Sequence, residues 1–189
     1  NVKRGLEGAK RANIKIKINT VALRGVNDNE FDNLISWCGD EGFDLTFIEV
    51  MPMGEIGDSA RLDQYMPLSM VRAQLNNSWT LKDIAYQTAG PARYVKVKET
   101  GGRIGFITPM THNFCETCNR VRLTCTGMLY MCLGQENFID FKEILQHDYS
   151  NEKIIKLIRE AMKNKPKGHD FIIDKKTRPY MNRFMNTTG

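Results

Sequence analysis

Four of the chain's five cysteines fall in one run of twenty residues, NFCETCNRVRLTCTGMLYMC (113–132). Whatever fold surrounds this run must decide which of four thiols meet, and no other stretch of the 189 residues imposes so narrow a condition. Cys115 and Cys118 form a C-x2-C pair, whose short gap lets two sulfurs face one metal centre from a single turn. Cys125 and Cys132 follow, each after six intervening residues. Zinc ribbons and fingers usually pair two short knuckles, and here two isolated cysteines replace the second pair. On spacing alone, an iron–sulfur centre, a zinc site and redox or inert thiols all stay open, in that order.

The neighbours of the cysteines narrow the chemistry. His112, Asn113, Asn119, Arg120 and Arg122 crowd the first pair, and no acid stands between Cys118 and Cys132. A purely structural metal has little use for such donors. If residues 120–124 are extended, Arg120, Arg122 and Thr124 share one face and two guanidiniums converge on one anion, such as a triphosphate. The bland alternative is a pair of solvated arginines on an exposed strand.

The wider composition fits an intracellular globular chain. Apolar residues make up 41% of it, enough for a real core, and no apolar run approaches the roughly 20 residues of a membrane span. The opening NVKRGLEGAKRAN lacks the apolar centre of a secretory signal, so the cytoplasm is expected. In a reducing compartment a tight cluster of cysteines holds metal more readily than disulfides, and an odd total of five agrees. The net charge of +5 is uneven: residues 163–184 hold seven Lys or Arg against two Asp. Such a tail is either solvated or turned towards phosphates.

Periodicity outlines the fold. Val2, Leu6, Ala9 and Ala12 follow helical spacing, and IKIKINTVAL (14–23) alternates Ile14, Ile16 and Ile18 against Lys15, Lys17 and Asn19, as a strand does. Phe31, Leu34, Ile35 and Cys38 form the stripe of a second helix ending near Gly42, and LTFIEVM (45–51) reads as a buried strand. The result is a βαβ unit with parallel neighbouring strands. A parallel sheet normally has more than two strands and cover on both faces. Because the chain also opens with Asn inside a helix pattern, an upstream portion of the protein is expected. Further on, PLSMVRAQL suggests a helix at residues 68–76, TLKDIAY an extended run, and ARYVKVK with RIGFIT a hairpin across Glu99 to Gly102. DFKEILQH and NEKIIKLIREAMKN read as two helices. The second presents Ile154, Ile155, Leu157, Ile158, Ala161 and Met162 as a broad core face and stops at Pro166.

Several blocks then point one way. INTVALRGVND (18–28), FIEVMPMG (47–54), GPARY (90–94), IGFITPMTHNFCETCNRVRLT (104–124) and the C-x13-C interval from Cys118 to Cys132 resemble, in order, the molybdenum cofactor biosynthesis protein A family, the GTP 3',8-cyclases. The likeness runs along nearly the whole chain and does not depend on any single common motif. It implies an α/β fold: residues 1–54 as the C-terminal portion of a partial radical S-adenosylmethionine (β/α) barrel, and residues 55–189 as an α+β molybdenum cofactor synthesis domain with an iron–sulfur cluster. It implies Cys115, Cys118 and Cys132 as ligands of a 4Fe-4S cluster with one open iron. Cys125 falls outside the set, where a small residue is usual. The resemblance further implies GTP contacts from Lys17, Arg120, Val121 and Arg122, and an S-adenosylmethionine contact from Met51, for which plain core packing is the competing reading. Expected partners are GTP and, as an option, a second copy of the chain, with no nucleic acid and no membrane.

Three departures accompany the resemblance. The family's N-terminal C-x3-C-x2-C is absent from these 189 residues, so this chain alone is expected to be inactive. Thr46 stands where an arginine is common, and the chain ends Thr187, Thr188, Gly189 where the family usually ends in Gly-Gly. A reading from another class is a zinc-stabilised RNA-binding module, its basic tail carrying Tyr180 and Phe184 for base stacking. A third is a degenerate family member kept as a partner of the intact enzyme.

Overall fold

The computed structural model describes residues 2–51, 63–135, 137–147 and 150–169. The chain divides into two compact units: Asn1–Val50 with Asp63–His112, and Met51–Leu62 with Asn113–Gly189.

The first unit is built on a five-stranded mixed sheet. Its elements are α1 (Val2–Arg11), β1 (Lys17–Ala22), α2 (Phe31–Glu41), β2 (Asp44–Glu49), α3 (Leu68–Leu75), β3 (Leu81–Asp83), β4 (Arg93–Val97) and β5 (Arg103–Ile107). The strand order is β1-β2-β5-β4-β3. The expected βαβ unit is present: β1 lies parallel to β2 with Lys17 opposite Asp44 and Thr20 opposite Phe47. Gly42 ends α2 at φ 69°, a left-handed position where glycine avoids a Cβ clash, and Phe43 N–H returns to the Cys38 carbonyl at 2.8 Å. The expected hairpin is β4–β5, with Gly101 at φ 67° in its turn. Since β5 also runs parallel to β2, one sheet joins strands from both sides of residue 54.

The two faces of this sheet differ in character. On one, Leu45, Phe47, Val95, Val97, Ile104 and Phe106 pack in a single cluster with buried side chains of α2 and α3. Phe47 is fully buried, edge-on to Phe31 at 4.8 Å. On the other, alternation and register place Lys17, Asn19, Asp44, Thr46 and Arg103. Gly105 lies between Thr46 and Tyr94 in the register, and a Cβ there would stand 3.0 Å from the Thr46 hydroxyl and from the Tyr94 ring. Asp44 accepts two hydrogen bonds from Arg103, at 2.8 and 3.1 Å, and the guanidinium lies 4.2 Å from the Tyr86 ring centre.

The second unit contains a 3-10 turn (Cys115–Thr117), β6 (Arg122–Leu123), β7 (Met128–Tyr130), β8 (Phe138–Asp140), α4 (Phe141–His147) and α5 (Asn151–Lys163). The strands pair antiparallel in the order β6-β7-β8. Ser150 caps α5, its hydroxyl accepting from Lys153 N–H at 3.2 Å.

The helix expected at the start of the chain forms as α1, although it buries none of its residues and Val2 is 80% exposed. Other sequence expectations require correction. Ile14 lies outside β1 and is exposed. TLKDIAY is extended strand only at Leu81–Asp83, where β4 offers partners. LTFIEVM ends as a strand at Glu49, leaving Met51 beyond it and half-buried. α5 does not present a six-residue core face: Ala161 is buried, Leu157 and Ile154 are half-buried one and two turns before it, Met162 is half-buried beside it, and Ile155 and Ile158 are exposed. That narrower stripe is what a helix shows against a small three-stranded sheet. The architecture is α/β with a mixed sheet; three parallel strands are its only barrel-like element among the described residues.

Candidate metal centre

Three of the four clustered cysteines come together, and the fourth is kept apart by a tight turn. Cys115 opens the 3-10 turn, and Cys118 N–H closes it on the Cys115 carbonyl at 3.2 Å, so the C-x2-C pair shares one turn. β6 and β7 form a hairpin, Leu123 opposite Leu129, that brings Cys132 back past the pair. Cys125 sits in the turn of that hairpin. Gly127 N–H reaches the Thr124 carbonyl at 3.1 Å, Met128 N–H reaches the Thr124 hydroxyl at 3.0 Å, and Cys125 is exposed. Cys115, Cys118 and Cys132 are each half-buried.

The electrostatics link the same three thiols. Cys115 is pushed above the ordinary thiol range by burial first, then by the nearby Cys132 and Cys118, while Lys165 and the His169 main-chain N–H act the other way. A thiol that resists ionising mainly because it is partly buried, and further because two other thiols lie near it, would be deprotonated on binding a metal, whose positive charge offsets both effects. Hydrogen-bond donors to sulfur are in place: Gly134 N–H points to Cys132 Sγ at 3.4 Å, and His169 N–H to Cys115. Among the described residues no three His, Cys, Asp or Glu side chains gather tightly enough for a single metal ion. A polynuclear cluster, with a metal at each corner, holds its thiolates further apart than one tetrahedral ion does.

The arginines divide. Arg122 is half-buried in β6 and its guanidinium lies in the field of the thiols: burial lowers its basicity, Cys118 and Cys132 support its charge, and Arg120 opposes it. Arg120 precedes the strand and is exposed, so the uniform extended face expected for residues 120–124 is shorter than anticipated. The strand is inverted by ordinary standards. Arg122 and Thr124 turn inward, with Thr124 only 5% exposed, while Val121 at 41% and Leu123 at 62% face outward. Proteins rarely prefer a guanidinium to a leucine inside, and a nearby anionic centre is a physical reason to do so.

The other expected contacts lie elsewhere in the chain. Lys17 starts β1, exposed, on the polar face of the first unit's sheet with Asn19 and the buried Thr46. Met51 follows β2. Tyr180, Phe184 and the Thr187–Gly189 end lie outside the described residues.

Sequence reasoning passed over two residues. Glu49 is only 1% exposed, yet its carboxylate accepts four hydrogen bonds: from Leu68 N–H at 3.2 Å, Thr111 Oγ1 at 2.6 Å, Met110 N–H at 3.0 Å and Thr111 N–H at 3.1 Å. It fixes residues 110–111 of the segment that follows β5. The signal was there, a lone acid within the apolar run FIEVM. Lys165 carried none, being one of many cations in a basic tail.

The model of the family described as Molybdenum Cofactor Synthesis C matches residues 43–171, a span that includes all three facing thiols and Arg122. The chain belongs to that family. A GTP 3',8-cyclase of Mesorhizobium japonicum is 57% identical to it over 189 residues, which cover 100% of this chain and 57% of that protein. A GTP 3',8-cyclase of Brucella canis is 58% identical over 186 residues, 98% of this chain and 54% of that protein. The chain thus spans little more than half the length of the curated relatives it matches. Among the described residues no helix is long and apolar enough to cross a membrane.

Proposed function

We propose that this chain is part of a GTP 3',8-cyclase of molybdopterin cofactor biosynthesis, in which Cys115, Cys118 and Cys132 hold a 4Fe-4S cluster that receives GTP. The observation that carries the reading is the grouping of three thiols with a half-buried arginine while Cys125 is held away on a turn. When bound, a cluster with three protein thiolates leaves one iron able to take a substrate atom. The rest falls to the chain. Arg122, and Arg120 near it, supply guanidiniums for an anionic triphosphate, and the GTP contact assigned to Val121, whose side chain faces outward, rests on the family resemblance alone. The GTP contact assigned to Lys17 rests on the family resemblance alone; in its own unit the ammonium is exposed at the start of β1, and Thr46, uncharged and buried, supplies no counterpart to the arginine common at that position.

The finer parts of the proposal rest on the family. Residues 1–54 are assigned to the end of a radical S-adenosylmethionine barrel, with Met51 against S-adenosylmethionine, and residues 55–189 to the cluster-bearing domain. The complete enzyme converts GTP to (8S)-3',8-cyclo-7,8-dihydroguanosine 5'-triphosphate. The 189 residues hold no C-x3-C-x2-C, so this chain by itself is expected to be inactive. A cytoplasmic location, no nucleic acid partner and a second copy of the chain as an optional partner complete the proposal. The zinc-stabilised RNA-binding reading gains no support from the relatives, both of them named as cyclases.

The test is anaerobic reconstitution with iron and sulfide. The expected result is about four irons per chain, lost in Cys115→Ser. Stoichiometric zinc in tetrahedral thiolate coordination, with no iron uptake, would overturn the proposal.

A further inference from the structure

Residues 165–169 touch all three parts of the cysteine cluster, although they lie more than thirty residues beyond Cys132. The Lys165 ammonium donates to the Arg120 carbonyl at 2.6 Å and also to the Met131 carbonyl. Arg120 is two residues past Cys118, and Met131 is the residue before Cys132. Four residues after Lys165, His169 N–H points to the Cys115 sulfur. The lysine is itself anchored. Its own N–H returns to the Met162 carbonyl at 3.3 Å at the end of α5, and Pro166 restricts the backbone that follows.

We propose that Lys165 is a positioning residue of the metal centre, its ammonium clamping the main chain beside Cys118 to the main chain beside Cys132 so that the thiols are presented together. The inference rests on the reading of Cys115, Cys118 and Cys132 as ligands, but the clamp itself is a property of the metal-free chain. The carbonyls of Arg120, before β6, and of Met131, after β7, are poor partners for each other, since both only accept. A cation with three N–H donors joins them and leaves one donor free. The same charge lies beside a group that becomes anionic once three thiolates are assembled, which makes lysine a better choice than a neutral donor. Nothing in the basic composition of residues 163–184 distinguishes Lys165 from its neighbours; its contacts do.

The test compares the parent chain with Lys165→Met, which keeps the length and removes the charge and donors, and with Lys165→Arg, which keeps the charge. In the metal-free chain, hydrogen exchange read by mass spectrometry should quicken roughly tenfold in peptides covering residues 118–124 and 130–134 of Lys165→Met, as for the loss of one charge-assisted hydrogen bond. Exchange in β1, β2 and β5 should not change. After anaerobic reconstitution with iron and sulfide, Lys165→Met should hold less iron, and its cluster should have a more negative midpoint potential. Lys165→Arg should recover the potential more fully than the exchange protection, because it restores charge without the compact ammonium geometry.

Unchanged exchange in both peptides of Lys165→Met overturns the clamp. Loss of protection throughout, β1, β2 and β5 included, overturns it in favour of a general role in folding. If the parent takes up no iron while the two peptides still loosen, the clamp stands and the ligand assignment falls.

Discussion

The two units of this chain are held together by different means. The first has strands of up to six residues and three helices, two of which, α2 and α3, pack into a continuous apolar core in which Phe47, Leu45, Ile104 and Val71 are all but inaccessible. The second has strands of two and three residues, and its buried apolar side chains among those described are Leu129, Tyr130, Met131, Phe141 and Ala161. It leaves Leu123, Phe138, Leu145, Ile155 and Ile158 exposed, and holds three thiols and a guanidinium half-buried. Among the described residues the second unit's core is thin, and a metal held by the proposed ligands would stabilise it, because binding energy adds directly to folding energy. On that proposal, packing specifies the first unit and metal would complete the second.

The largest expected effect follows from that division. Loading with iron and sulfide should raise the stability of the second unit by upwards of about 5 kcal/mol, read as slowed exchange in β6, β7 and α5, because the metal binds only the folded arrangement. The strands β1, β2 and β5 should be unaffected. Equal slowing in both units would break the contrast. The converse experiment is next in size. Phe47→Ala removes a fully buried ring packed on Phe31 and Phe106, and should destabilise the first unit by about 4 kcal/mol in urea unfolding. Iron uptake per folded chain should stay at the parent level; a matching loss of iron would mean that the thiol group depends on the first unit's core.

What the sequence made legible follows the same line. The β1–α2–β2 unit was readable because period-2 and period-3.6 patterns meet at Gly42, and the β4–β5 hairpin because Gly101 and Gly102 mark its turn. Both features are local. The pairing of β5 with β2 was not readable, since it joins residues nearly sixty positions apart and leaves no periodic trace. In the second unit the thiols announced the chemistry, but short strands carry too few residues for periodicity, and α5 misled because Ile155 and Ile158 continue its apolar pattern without being buried. Glu49 and Lys165 act through hydrogen bonds to main chain that is distant in sequence, so neither role has a motif.

Cys125 supplies the smallest effect and the sharpest check on which thiols count. Composition treats it as the equal of its three neighbours, whereas the fold places it in the exposed turn between β6 and β7, bounded by hydrogen bonds among Thr124, Thr126, Gly127 and Met128. Burial and charge tie Cys115 to Cys118 and Cys132 and not to Cys125. Serine suits such a turn, its hydroxyl being smaller than the thiol and able to bond nearby main chain. Cys125→Ser should therefore change the stability of the second unit by less than about 0.5 kcal/mol and leave iron content and the cluster's absorption spectrum at parent values. Cys132→Ser, differing from it only in position, should lose the cluster. A drop in iron on Cys125→Ser comparable to that on Cys132→Ser would make the centre four-coordinate in protein thiolates, close the open iron, and remove the physical basis for nucleotide binding there.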